Sequence, residues 1–531
     1  MYKHTFIYIV YEGGFILFEK SNDAFIVNEL VGKSITDLIV EGDVYIPESL
    51  SGIEKIIYTS GKAKINKVSA LNDKVAVYGQ LNYNFIYRGN DESGATQAAN
   101  GKIDFMEEIP MPGVTEGMSA NIKASIDYID SKIVSDKKAL LKAVINIDTE
   151  AIDKRSIEYI SEFGNDESVQ TKANIVSYTD MVSKQETQIP ISENIVLDPN
   201  MNEIQDILKI DSSCKISEVD IMNERILIEG SCELGVLYTE NNSFSTLNYM
   251  TKEFPFTHYM EIKNADDSML KNINASILNV DSVVSKDDND ERKILSFDVE
   301  MLVTAELYSK FNKSIIADAY STTNEIEIQS SDISLSSIVD FVESKDDFEK
   351  SIDVEAATIK EIYYYDATPK ISEKNIYEDK MVIDGFVDLN VIFLNGDDNK
   401  VDSISASIPF NSSVDLSNYD NISDVDVKVS LDELGAYRKG LNTILVEAKL
   451  VSNSSIKDDK NIFVINDIVM GEKLNKKNTP SIVFRVVQPN ENIWDIAKNY
   501  NVSIDYLKKL NNLDINEDLV AGNKIIITRQ V

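Results

Sequence analysis

Two histidines, two cysteines and a single tryptophan are all that this 531-residue chain holds of the side chains most often recruited for chemistry. His4 and His258 stand far apart, and a histidine-dependent triad or a zinc site needs more convergent ligands than that. Neither a phosphate-cradling G-x-x-x-x-G-K-[ST] loop nor a G-x-S-x-G nucleophile elbow occurs. Among 89 acidic residues nothing singles out a carboxylate pair. The expectation is a chain that is no enzyme and carries no cofactor and no metal. Cys214 and Cys232 are too few to staple a protein this large; they read as two small, half-buried side chains in a reducing compartment.

Positive charge is also scarce. Lysine and arginine total 52, leaving a formal charge of −37. Such a balance repels phosphate backbones and anionic lipid, so no nucleic-acid partner is expected, and a basic protein surface suits the chain better. Long apolar runs are missing as well. Phe6–Val10 spans five residues before Tyr11-Glu12-Gly13-Gly14, against roughly 7–15 for the apolar part of a signal peptide and ~20 for a spanning helix. No direct membrane insertion is expected, and the chain is expected to stay in the cytoplasm.

What the sequence does have is repetition. Three segments align without a gap over 35 positions. Each opens with Ile-x-x-Ile (Ile53/Ile56, Ile204/Ile207, Ile359/Ile362) and continues with Lys64-Ile65, Lys215-Ile216 or Lys370-Ile371. A glycine follows 15 residues after the lysine, at Gly79, Gly230 and Gly385, and an aromatic ring eight residues later, at Tyr87, Tyr238 and Phe393. Around each glycine the apolar residues keep one parity, as in Val75, Val77, Leu81, Tyr83 and Phe85, with Gln80, Asn82 and Asn84 on the other. Period two with one apolar face predicts a half-buried strand. The central glycine predicts a bulge or bend. Asn72-Asp73, Asn223-Glu224 and Glu378-Asp379 precede the strand and predict a hairpin.

Further matched strands follow at Ala124-Ser125-Ile126, Ala275-Ser276-Ile277 and Val429-Ser430-Leu431, then apolar runs near Val144–Ile147, Val299–Val303 and Val446–Val451. Each repeat is therefore a mostly antiparallel, sandwich-like β module. The expected boundaries are an N-terminal extension 1–27, modules 28–152, 175–310 and 325–452, a linker 453–481 holding one short strand (Ile462–Val469), and a C-terminal domain 482–531. Intervening stretches such as Asp180–Val196 read as strand with some helix. The acidic segments Ser285–Glu291 and Asn395–Asn399 lack the spacing of a calcium cage and read as solvated loops.

The last 48 residues change style. Phe484–Gln488 is a strand ending at Pro489. Asn492 caps a helix with the apolar stripe Ile493, Ile496, Ala497 and Tyr500; Ser503 caps a second with Ile504, Leu507 and Leu510. Lys524–Thr528 returns as a strand, giving β-α-α-β. Six acids match six bases here, so the −37 belongs to the scaffold ahead. Trp494 lies one position off the apolar stripe, about 100° around the helix, and is expected to face outward as a partner-binding hot spot, the alternative being a ring folded over the helix as partial core. Ile482, Asp495 and Lys498 are candidates for the same face.

These residues resemble the LysM family: Val486–Pro489, Ile493–Ala497, Val502–Asn511 and Gly522–Ile527 follow its strand, Gln-Pro, Leu-Trp-x-Ile-Ala, Val-x-x-x-x-Leu-x-x-Leu-Asn and Gly-x-Lys-Ile pattern. The resemblance implies a candidate glycan loop at Pro489, Asn490, Glu491 and Asn492. The family's Gly-Asp-Thr is replaced there by Asn490-Glu491-Asn492, which adds bulk and charge where a sugar would approach. The repeated unit resembles the SPOCS domain of sporulation proteins, and SPOCS modules ahead of a terminal LysM resemble clostridial spore-coat morphogenetic proteins. What that implies is a coat scaffold in the mother-cell cytoplasm, at the forespore outer membrane surface. Its LysM module would grip the coat basement-layer ATPase, stage IV sporulation protein A, with other coat proteins and self-association as further contacts. The alternative is a LysM protein that binds peptidoglycan or N-acetylglucosamine in the wall or cortex.

Overall fold

A computed structural model describes residues 3–11, 14–92, 94–164, 167–222, 224–241, 246–354, 357–475, 480–513 and 519–528, with side chains described from residue 20 onward. The period-two pattern resolves into three copies of one antiparallel arrangement. Module 1 runs β1 (Lys3–Tyr11), β2 (Gly14–Tyr45), β3 (Ile53–Leu71), β4 (Lys74–Gly89), β5 (Thr96–Pro110), β6 (Ser119–Ser135) and β7 (Lys138–Phe163). Module 2 runs β8 (Val169–Val196), β9 (Ile204–Met222), β10 (Arg225–Glu240), β11 (Leu247–Glu261), β12 (Leu270–Ser285) and β13 (Ile294–Ser321). Module 3 runs β14 (Asn324–Asp353), β15 (Ile359–Ile376), β16 (Lys380–Asn395), β17 (Val401–Asp415), β18 (Asp424–Arg438) and β19 (Thr443–Lys473).

In each module the central hairpin and the next strand form one sheet (β3-β4-β5, β9-β10-β11, β15-β16-β17). The long first and last strands with their neighbour form the other (β2-β7-β6, β8-β13-β12, β14-β19-β18), with β1 added at the β2 edge in module 1. The two sheets share an apolar interior, so the module is a sandwich. In module 1 Val40 and Val44 of β2, Val75 and Phe85 of β4, and Leu141 and Ile145 of β7 meet there, all buried.

The repeated glycine has a physical reason. In each copy the bulge lies on the neighbouring strand, at Asn66, Ser217 and Ser372, and the glycine faces it. A Cβ on Gly230 would stand 2.8 Å from the Phe256 ring and closer still to the Lys215 carbonyl oxygen. Gly79 meets Phe105 and Gly385 meets Phe410 in the same way. A ring laid over a strand glycine covers the backbone that glycine leaves bare. This phenylalanine column is a further signature of the repeat.

The three modules close on one another. Ile57, Leu208 and Tyr363, equivalent positions of the repeat, join Ile86, Leu237 and Ile392 in one cluster shared by all three. One step along, Tyr58, Lys209 and Tyr364 are equivalent. The Lys209 ammonium lies 5.4 Å and 4.8 Å from the two ring centroids and pairs with Asp211 and Asp366. Repeat lysines clamp the joints: Lys215 pairs with Asp432, and Lys370 reaches the Asp127 carbonyl. Lys62 reaches the Ile277 carbonyl at 3.4 Å.

The long strands run past the sandwiches and form a second joint. Phe25 and Tyr159, Val176 and Ile315, and Ile333 and Val464 pack together there. Lys313 pairs with Asp23 at 3.1 Å, Lys20 with Asp467 at 2.8 Å, and Lys460 bonds the Ser177 carbonyl at 3.0 Å, one link for each pair of modules.

This corrects three expectations about the chain between modules. Residues 453–473 are no linker but the distal half of β19, paired with β14 from Asp353↔Thr443 to Asn324↔Lys473. Residues 14–27 belong to β2, and Asp180–Val196 is strand throughout, without helix. The distal ribbons bury only part of each strand, against other ribbons far away in sequence, so their composition reads as hydrophilic. Asn223 and Lys476–Lys477, read as turn and linker, lie outside the described residues. Cys214 and Cys232 are cross-strand neighbours and both are free thiols.

Candidate functional site: the C-terminal module and its seat on the scaffold

β20 (Ile482–Val486) and β21 (Lys524–Thr528) pair antiparallel with Phe484 opposite Ile526. The helices α1 (Ile493–Asn499) and α2 (Ile504–Asn511) cover one side of that sheet. Caps fall where the sequence puts them. The Asn492 side chain accepts from the Asp495 amide at 2.9 Å, and the Ser503 hydroxyl from the Tyr506 amide at 3.1 Å. Val487, Ile496, Ala497, Val502, Leu507, Ile525 and Ile527 form the module's own core.

In the loop after β20, Asn490 takes a positive φ of 64°, a conformation that asparagine tolerates better than most residues. The Glu491 carboxylate turns inward, accepting from the Gln488 amide at 3.0 Å and from the Arg485 guanidinium. The Arg485 bond holds the Glu491 carboxyl below the usual carboxylate range. Pro489, Asn490 and Asn492 are exposed, but the charged group of the loop is committed to the module itself.

The four partner-binding candidates separate. Trp494 does leave the apolar stripe of α1, but it does not face solvent: only 7 % of it is exposed. Its indole N–H donates to Asp318 Oδ2 at 2.8 Å, and its ring meets Tyr320 edge-on at 5.1 Å between centroids. Lys498 Nζ reaches the other oxygen of Asp318 at 2.6 Å. Asp318 and Tyr320 stand at the end of β13, and the seat extends beyond them. Tyr320 donates to the Val502 carbonyl at 2.8 Å, Asn501 Nδ2 to the Ser321 carbonyl at 3.0 Å, and the Ile504 amide to Gln170 at 3.4 Å. Helix geometry predicted an indole turned out to solvent; instead it is buried in an apolar cluster against the chain's own second module. Asp495 stays exposed on α1, and Ile482 is 57 % exposed on the sheet, away from Trp494.

Ile482 has company. Phe484 (73 % exposed), Val486 and Ile526 share its side of the two-stranded sheet, opposite the helices. The sequence carried the signal: Ile482, Phe484 and Val486 share one parity of β20 while Val483 lies on the other, Ile526 sits between Ile525 and Ile527 in β21, and two helices can cover only one face. Singling out the tryptophan missed it.

The family model described as SipL, SPOCS domain matches residues 52–134, 203–285 and 358–437. The LysM domain model matches residues 486–528. The chain carries three SipL-type SPOCS domains and a C-terminal LysM domain. Each SPOCS match spans the glycine hairpin sheet and the following strand, β3–β6 in the first. It stops short of β7, whose Leu141, Ala143, Ile145 and Ile147 complete that domain's core. No significant match is found among curated proteins or among solved structures. The SPOCS and LysM domains make this a sporulation-related protein with a C-terminal LysM module. Among the described residues no helix is long and apolar enough to cross a membrane.

Proposed function

We propose that this chain is a non-enzymatic scaffold for spore-coat assembly. Its LysM domain binds the coat basement-layer ATPase, stage IV sporulation protein A, and the SPOCS ring carries other coat proteins. It acts in the mother-cell cytoplasm at the forespore outer membrane surface. The observation that carries the reading is the apolar sheet face of LysM: Ile482, Phe484, Val486 and Ile526 lie together, exposed, on the side its helices leave bare. Exposed apolar clusters of this kind mark protein contacts. The glycan alternative draws less support, because Glu491 of the candidate sugar loop is tied to Arg485 and the Gln488 amide.

The test is capture of stage IV sporulation protein A by the full chain with Phe484→Glu. The side chain is mostly exposed, so the domain keeps its fold, checked by circular dichroism. Capture is expected to fall by about tenfold or more, the loss of one interface aromatic. A folded variant that captures normally refutes the reading. Co-sedimentation of the full chain with insoluble peptidoglycan would favour the glycan alternative instead.

A further inference from the structure

The Trp494 seat is one copy of a repeated feature. The distal ribbons each carry a bulge at an equivalent place, with Ser161, Ala317 and Asn466 as the extra residues. An isoleucine precedes each bulge (Ile160, Ile316, Ile465), and these pack together. An acid follows each: Glu162, Asp318 and Asp467. In module 3 that acid binds Lys20 of module 1 at 2.8 Å. In module 2 it binds Lys498 and the indole of LysM. The scaffold thus holds LysM with the same device by which it holds its own strands.

The grip is small, however. In the apolar cluster at this joint, among the described residues, Tyr320 is the one scaffold member and the others belong to LysM. Among the described residues the seat adds the hydrogen bonds of Tyr320, Asn501 and Ile504 and one partly solvated ion pair. A joint built, among the described residues, from one ring, one carboxylate and a few hydrogen bonds is smaller than a standard stable interface. It stays closed because the covalent tether keeps LysM at high effective concentration.

We propose that the LysM domain is held closed on the Asp318–Tyr320 seat by a reversible latch, and that opening it frees a second contact face, Trp494 with Lys498, for a protein partner. The seat also states what that face recognises: a strand presenting a carboxylate and, two residues on, an aromatic ring. A competing partner supplies the same pair, an exposed Asp/Glu-x-Tyr/Phe strand, and takes the place of β13. This rests on the reading that LysM captures a protein; the sheet face stays available in the closed state and the helix face does not.

Trp494 is the only tryptophan, so its fluorescence reports the latch directly in the full chain. Asp318→Ala is expected to red-shift the emission and raise acrylamide quenching at least twofold, with far-UV circular dichroism unchanged. Capture of stage IV sporulation protein A is expected to tighten by about tenfold, since closure no longer competes. Asp318→Asn keeps an acceptor for the indole but loses the lysine pair, and is expected to fall between. Emission and quenching in Asp318→Ala equal to the parent chain would overturn the latch. So would increased quenching with unchanged capture in a parent chain that does capture. Increased quenching with no capture by parent or variant overturns the protein-capture reading, and the proposed use of the freed face with it.

Discussion

Gly230→Ala puts the repeat geometry to a quantitative test. The added methyl lies between the Lys215 carbonyl oxygen and the Phe256 ring, 2.8 Å from the ring and nearer to the oxygen. One side of that slot is backbone fixed in the β9–β10 ladder, so relief must come from shifting the bulge at Ser217 and swinging the ring. Overpacking of this kind costs about 1–3 kcal/mol, and the upper end applies because a main-chain atom is the obstacle. Lys215 is also the residue that clamps module 2 to Asp432 of module 3, so the shift loosens a joint. The melting response depends on what unfolds together. For a unit of about 150 residues the unfolding entropy is about 0.3 kcal/mol/K, so a loss of about 3 kcal/mol lowers Tm by about 10 °C. For about 450 residues unfolding as one, the same loss lowers it by about 3 °C. The clusters shared by all three modules predict the second outcome, a single transition moved by about 3 °C. Gly440→Ala is the control, since the nearest atom to its Cβ is 3.8 Å away, and it is expected to leave Tm unchanged. Differential scanning calorimetry reads both. If Gly230→Ala melts like Gly440→Ala, the account of the repeated glycine is wrong.

Lys209→Met removes the one ammonium between Tyr58, Tyr364, Asp211 and Asp366, and leaves the two carboxylates facing each other. Both are partly solvated, so the full penalty of breaking a buried pair is discounted to about 2–3 kcal/mol, read by urea denaturation. Acid should open the latch only late. Burial pushes the Asp318 carboxyl up, but its bonds to Lys498 and Trp494 outweigh that and hold it below its ordinary 3.8. A group lowered on docking contributes above its free value and loses that contribution as pH falls through its docked value. Trp494 quenching is therefore expected to stay flat from neutral pH to about 4 and to rise below it; a rise near pH 6 would contradict the Asp318 assignment.

The strands, the hairpins and the LysM caps were legible because their causes are local. Alternation around Gly79, Gly230 and Gly385 fixes which face is buried, and Asn492 and Ser503 satisfy amides three residues away. Repetition added what one copy could not: five columns held three times must answer to the same geometry. Even so, the glycine was read as the site of a bulge when it faces one, because which strand carries the extra residue is a matter of pairing.

What depended on partners distant in sequence was not legible. The ribbons of 453–473 look hydrophilic because they bury one stripe against modules that precede them by hundreds of residues. Trp494 was correctly placed off its helix's stripe, since 3.6-residue periodicity decides that much. What it would meet there was open. A side chain's direction follows from its own backbone, whereas the surface in its path belongs to a chain folded back on itself. Asp318 and Tyr320, 176 and 174 residues earlier, occupy that path only because the three modules close into a ring that leaves the end of β13 beside the start of LysM.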